Sequence, residues 1–134
     1  MSNTPKMFFA AATFFALCGM IWGIQMSATH DHTLSPAHGH LNLIGFVMMA
    51  IFGAYYAMTP KAGHSRTATI HFILNIVTVL VMTPGIVLAI QGQTEVLAKV
   101  GSILAVLSIL LFAFAVMKYG AGGAAADPNA DNSQ

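Results

Sequence analysis

Residues 67–90 read TATIHFILNIVTVLVMTPGIVLAI, with no charged side chain among them. About 20 apolar residues rising about 1.5 Å each cross the hydrocarbon core of a bilayer as a helix, and only helices or closed barrels satisfy their backbone there. The run lacks the strict alternation of a barrel strand, so it reads as a transmembrane helix.

Working outward, the charged residues of the chain are Lys6, Asp31, Lys61, Arg66, Glu95, Lys99, Lys118, Asp127 and Asp131. They bound three more uncharged runs, so the expected spans are residues 7–26, 39–58, 67–90 and 96–117. The fold class that follows is all-α, a four-helix transmembrane bundle running up-down-up-down as one domain over residues 1–118. Residues 119–134, rich in Gly, Ala, Asp and Asn, are expected to form a flexible tail.

Composition agrees. Apolar side chains make up 57% of the 134 residues and charged ones 7%, against roughly 45–50% and about 25% in soluble domains. That balance excludes a disordered chain, an ordinary water-soluble enzyme and a nucleic-acid binder built on a basic patch. The lone Cys18 permits no internal disulfide.

Lys6 ahead of an apolar run resembles a secretory signal, but the run is longer than a signal core and carries Trp22 near its far end, where an interfacial aromatic belongs. It reads as the first span. Lys6, Lys61, Arg66 and Lys118 fall on one side of a four-crossing path and only Lys99 on the other. The positive-inside rule therefore expects both termini in the cytoplasm of a bacterial-type inner membrane.

Gly19, Gly23 and Ser27 repeat every fourth residue on the first helix, as do Gly45, Met49 and Gly53 on the second. Such faces allow close approach of helices. Pro84, followed by Gly85, is expected to kink the third helix. No internal repeat stands out.

Six histidines are the chemistry of this chain. His30, His32, His38 and His40 belong to the outer end of the bundle, His64 and His71 to the inner end. Ionisable residues inside a membrane are costly and each is a functional-site hypothesis by default. His40 falls early in the second helix, in line with Ile44, Val47 and Ile51. An apolar face topped by one imidazole suits a porphyrin, which needs greasy walls and an axial nitrogen. The alternative is a histidine that hydrogen-bonds a neighbouring helix. His38 projects about 200° away, in line with Asn42.

The segment Ala37-His38-Gly39-His40-Leu41-Asn42-Leu43-Ile44-Gly45-Phe46 resembles the start of the second transmembrane helix of subunit I of the haem-copper oxidases, nearest to the nitric-oxide-reductase branch. The likeness covers about 20 residues. In that family a histidine followed two positions later by asparagine opens the helix, and the histidine is an axial ligand of the low-spin haem. The resemblance implies that His40, with Asn42, binds haem b. The fourth helix here has no histidine, and nothing matches the family's copper-binding set, so the resemblance implies no binuclear-centre turnover and no catalytic residue is assigned.

His71 begins a stripe with Asn75, Thr78 and Met82 at i+4, i+7 and i+11. A polar stripe in lipid should face other helices or a cofactor. His71 and Asn75 are therefore candidates at a second haem, with Arg66 about 7 Å nearer the cytoplasm to pair a propionate. The alternative is an interhelical hydrogen-bond ladder. His40 and His71 open antiparallel helices and are separated by roughly 20 Å along the membrane normal, so they do not clamp one iron.

The loop Thr29-His30-Asp31-His32-Thr33 is a compact set of ligand types beside His38. His30, Asp31, His32 and His38 are candidates for copper or zinc, with copper favoured by the Irving–Williams order. They are equally an exposed loop without a role, or the source of a sixth ligand for a haem on His40. No nucleophile with its base, no phosphate loop and no intramembrane carboxylate is present, which disfavours hydrolytic and transport chemistry.

The expectation is a haem b-binding membrane protein with an electron-transfer or redox-sensing role, a homo-oligomer served by a respiratory electron donor or acceptor. The other reading is a copper-handling or oxidase-assembly protein using the outer histidines.

Overall fold

The computed structural model describes residues 3–123. It is all-helical among those residues, with four helices long and apolar enough to cross a membrane. They are α1 (Thr4–Thr29), α2 (Ser35–Met58), α3 (Arg66–Ile90) and α4 (Val96–Tyr119). The chain is a multi-pass membrane protein on that evidence.

Pro5 and Pro36 stand in the first turns of α1 and α2. Proline fits there because its missing N–H would have no partner in any case. This start signal brings α2 in at Ser35, ahead of the expected residue 39, and His38 is helical rather than in a loop. The middle of α2, Leu41–Met48, widens into a π-helix. α1 ends where His30 takes a left-handed conformation (φ 54°) with its N–H on the Ser27 carbonyl, 3.3 Å away. α3 opens on Ser65, whose hydroxyl accepts from the Ala68 N–H at 3.3 Å, and runs unbroken through Pro84.

The glycine faces seat the helices. A β-carbon on Gly19 would run into Asn42, one on Gly23 into His38, one on Gly45 into Phe15 and one on Gly53 into Phe8. Residue numbers thus fall along α1 as they rise along α2, which fixes an antiparallel pair. Between α3 and α4 the same holds, with Gly101 against Met82 and Gly85 against Leu97 and Ala98, where an added β-carbon would lie 2.6–2.7 Å from backbone atoms. The four helices run up-down-up-down.

The core is aromatic at the end where α1 starts and α4 finishes. Phe8, Phe52, Tyr56 and His71 are enclosed there, with Phe112 packed against them. Tyr119 belongs to α4 rather than to a tail. The next residues fold back: Tyr55 Oη donates to the Gly120 carbonyl at 2.8 Å, and the Gly122 N–H to Thr59 Oγ1 at 2.9 Å. The rest of the expected tail, residues 124–134, lies outside the described residues.

Candidate functional site

α2 and α4 touch at one end and part at the other. Phe52 and Tyr55 meet Phe112 with ring centroids 4.8 and 5.1 Å apart, and the single Tyr55 hydroxyl proton is shared between the Gly120 carbonyl and the Ala115 carbonyl, the latter 3.0 Å away. Toward the His30 end the helices diverge and leave a cleft of about 430 Å³. Its walls are His40, Leu43, Ile44 and Met48 on α2 and Ser102, Val106 and Leu110 on α4, with Asn75 and Met82 of α3 between them. The lining is nearly all apolar. That volume is within the range of about 300–1,000 Å³ typical of small-molecule sites. The π-helical stretch of α2 coincides with this wall, and such widened turns recur at functional sites.

At the mouth stands His40. Its Nδ1 lies 2.7 Å from the Pro36 carbonyl. A carbonyl only accepts, so Nδ1 carries a proton, and in the neutral ring the lone pair is on Nε2. Metal-binding imidazoles are held in this way, with the far nitrogen tied to an acceptor. The side chain is exposed. Beside it, Gly39 is a helical glycine with nothing within 4 Å of where its β-carbon would be. Glycine costs a helix about 1 kcal/mol relative to alanine, and no packing among the described residues explains it.

Asn42 does not join His40. It turns toward α1, where its Nδ2 donates to His38 Nε2 and to the His38 carbonyl, both at 3.1 Å. His38 packs edge-on against Trp22, centroids 6.0 Å apart. The two histidines of the motif thus serve opposite faces of α2, as their 200° offset required.

His71 sits in the interhelical hydrogen-bond ladder that was the alternative to a ligand role. Ser108 Oγ donates to Asn75 Oδ1 at 3.0 Å. Its hydroxyl proton being used, Ser108 can only accept from His71 Nε2, 3.1 Å away. Nε2 therefore carries the ring proton, and Nδ1 accepts from Tyr56 Oη at 2.9 Å. Asn75 Nδ2 completes the chain by donating to the Ile44 carbonyl and to Met49 Sδ, each 3.4 Å away. His71, Asn75 and Thr78 are all fully buried, so the polar stripe of α3 does face inward. The ladder is satisfied from end to end, and no buried side-chain polar atom among the described residues lacks a partner. An iron at either nitrogen of His71 would displace Tyr56 or Ser108. Arg66, the exposed first residue of α3, lies at the end of the bundle opposite His40 and does not border the cleft.

The expected metal cluster of His30, Asp31, His32 and His38 is not assembled. Among the described residues no three side chains of His, Cys, Asp or Glu come together to hold a metal. The cause is local. Asp31 Oδ1 is committed to Thr33, accepting from its hydroxyl at 2.6 Å and its N–H at 3.0 Å. These bonds hold the Asp31 carboxyl below its ordinary pKa. His38 is turned away by α1. At the same end the Glu95 carboxyl is also held low, by Lys99 at 2.8 Å.

One residue stands out only in the structure. His64 Nδ1 lies 2.7 Å from the Pro60 carbonyl, the arrangement seen at His40. The sequence carries a signal for it: Ser35-Pro36-Ala37-His38-Gly39-His40 and Thr59-Pro60-Lys61-Ala62-Gly63-His64 share a hydroxyl residue, Pro, Gly and His at matching positions. Pro starts the turn, and the histidine four residues on reaches back to its carbonyl. No protein-family model, curated protein or solved structure matches the chain.

Proposed function

We propose that this chain is a haem b-binding membrane protein in which His40 is an axial ligand and the α2–α3–α4 cleft holds the macrocycle. The observation that carries the reading is the placement of His40: its Nδ1 is tied to the Pro36 carbonyl, which makes Nε2 the ligating nitrogen of the neutral ring, and it borders an apolar cleft. The likeness of residues 37–46 to the second helix of haem-copper oxidase subunit I supports the same assignment. Haem bound there would supply one-electron chemistry. The chain's own residues supply the axial nitrogen, the greasy walls and the exclusion of water from them.

The role follows as electron transfer or redox sensing, with a respiratory donor or acceptor as partner. Lys6, Lys61, Arg66 and Lys118 fall at the end of the bundle where α1 starts and α4 finishes, which supports a cytoplasmic location for that end in a bacterial-type inner membrane. Copper handling through the outer histidines is the outcome to be tested against.

The test is an absorbance spectrum, with metal analysis, of the full chain purified in detergent and supplied with haem b. The expected result is a Soret band and reduced α-band that disappear in His40→Ala. A chain that binds no haem, or binds it unchanged in His40→Ala, sinks the reading.

A further inference from the structure

Only one end of the cleft suits a carboxylate. At the other end Phe52 and Tyr55 close on Phe112. Between the two the wall is nearly all apolar, and its polar side chains on α3 and α4 are committed: Asn75 is bonded within the ladder, and Ser102 Oγ donates to the Ala98 carbonyl at 2.8 Å. A carboxylate buried there would find no donor, which is costly. Haem b carries two propionates on one edge of an otherwise apolar ring. Resting on the haem reading above, we propose that Lys99 binds a propionate at the mouth of the cleft, and that this pairing sets the macrocycle with its acidic edge toward the His30 end and its apolar edge toward Phe112.

Three observations carry the assignment. First, Lys99 belongs to the stripe that forms the α4 wall. Ser102, Val106 and Leu110, which line the cleft, follow it at i+3, i+7 and i+11. Ser102 is the first α4 residue along the wall, as His40 is the first on α2, and Lys99 stands about 4.5 Å further out by helical rise. Helical side chains lean toward their own N-terminus, and α4 starts at this end, so the ammonium stands over the mouth rather than inside the cleft.

Second, the charge is alone at its end. Of the five Lys and Arg residues in the chain, Lys6, Lys61, Arg66 and Lys118 fall at the opposite end of the bundle. The positive-inside rule accounts for those four and leaves Lys99 without a topological reason.

Third, the ammonium is already placed to hold a carboxylate. Lys99 Nζ lies 2.8 Å from Glu95 Oε2, with the two side chains 73% and 71% exposed. Exposed pairs one helical turn apart add little stability, so a propionate can take the place of Glu95 at little cost.

The experiment titrates the full chain in detergent with haem b and with haem b dimethyl ester, which lacks the two charges. Absorbance is followed for wild type, Lys99→Gln and Lys99→Arg. Lys99 is exposed, so neither change removes core packing. Lys99→Gln is expected to weaken haem b binding about fivefold and to leave the affinity for the ester unchanged, while Lys99→Arg keeps the wild-type affinity for both. Added salt should weaken wild-type binding of haem b and not of the ester. If Lys99→Gln leaves haem b binding unchanged, or weakens both compounds alike, the Lys99 assignment is overturned and the haem reading stands. Wild type that takes up neither compound overturns both.

Discussion

Ser108 Oγ lies 3.0 Å from Asn75 Oδ1, and this one bond between α3 and α4 fixes the direction of every proton in the buried ladder that includes His71. Interhelical hydrogen bonds in membranes are individually worth only about 0.6 kcal/mol on average. Ser108→Ala does more than remove one, because it leaves the His71 Nε2–H and the Asn75 carboxamide oxygen without partners in a sealed core. The expected loss of stability is about 1–3 kcal/mol, read from thermal unfolding in detergent. No loss would mean that the ladder has another partner.

His71 and His40 should respond oppositely to substitution. His71→Ala opens a hole among Phe8, Phe52 and Phe112 and strands Tyr56 and Ser108, so it is expected to cost about 2–5 kcal/mol. His40→Ala removes an exposed side chain and should leave the melting temperature of the haem-free chain nearly unchanged. Haem titration and thermal melts on both variants separate ligand from scaffold.

The glycines divide in the same way. Gly85→Ala places a methyl group 2.6 Å from the α4 backbone, which cannot swing aside as a side-chain tip can. A cost of about 1–3 kcal/mol is expected. Gly39→Ala meets nothing and should stabilise the haem-free chain by about 0.5–1 kcal/mol through helix propensity. The same melts check both signs.

At the exposed loop, the Asp31 carboxyl is held low by Thr33, first by the hydroxyl and then by the backbone N–H. A carboxyl with a lowered folded value lends its turn stability that is complete above the ordinary carboxylate range and is lost as the pH falls through the lowered value. The protection of the Thr33 amide, its exchange rate relative to the intrinsic rate at the same pH, should therefore be lost only in acid. In Asp31→Ala that protection should be missing at every pH. Protection that persists in acid would show that another group holds the turn.

Copper offers a separate check. Since His30, Asp31, His32 and His38 do not converge, His30→Ala with His32→Ala is expected to leave tightly bound copper unchanged in metal analysis. A stoichiometric loss would show that the loop rearranges around the ion.

Much of the bundle was legible in the chain itself. The spacing of Lys61, Arg66, Glu95 and Lys118 marks the limits of α3 and α4, because charge is excluded from lipid. Helical period alone put His38 and Asn42 on a different face from His40, and turned His71, Asn75, Thr78 and Met82 inward. Gly19, Gly23, Gly45 and Gly53 were readable as contact positions because little but the absence of a side chain lets two backbones approach.

The site was legible only in part. His71 reads from sequence as a ligand because its partners, Tyr56 and Ser108, are 15 and 37 residues away, and a local pattern has no means of pairing them. The outer histidines and Asp31 look like a cluster because they are close in sequence, whereas in space Asp31 is bonded to Thr33 and His38 is held by Asn42 and Trp22. The His64 hexapeptide was there to be read, but its meaning depends on where an imidazole hydrogen bond falls.

Sequence by itself settled which segments are long and apolar enough to cross a membrane and turned the stripe from His71 to Met82 inward, since both follow from hydropathy and the 3.6-residue period. Only the tertiary structure decided what those segments meet: that α2 and α4 close around Phe112 yet part beside His40, and that His71 is sealed while His40 is open. The physical reason is that burial is a property of one helix, whereas a cleft is a property of the distance between two.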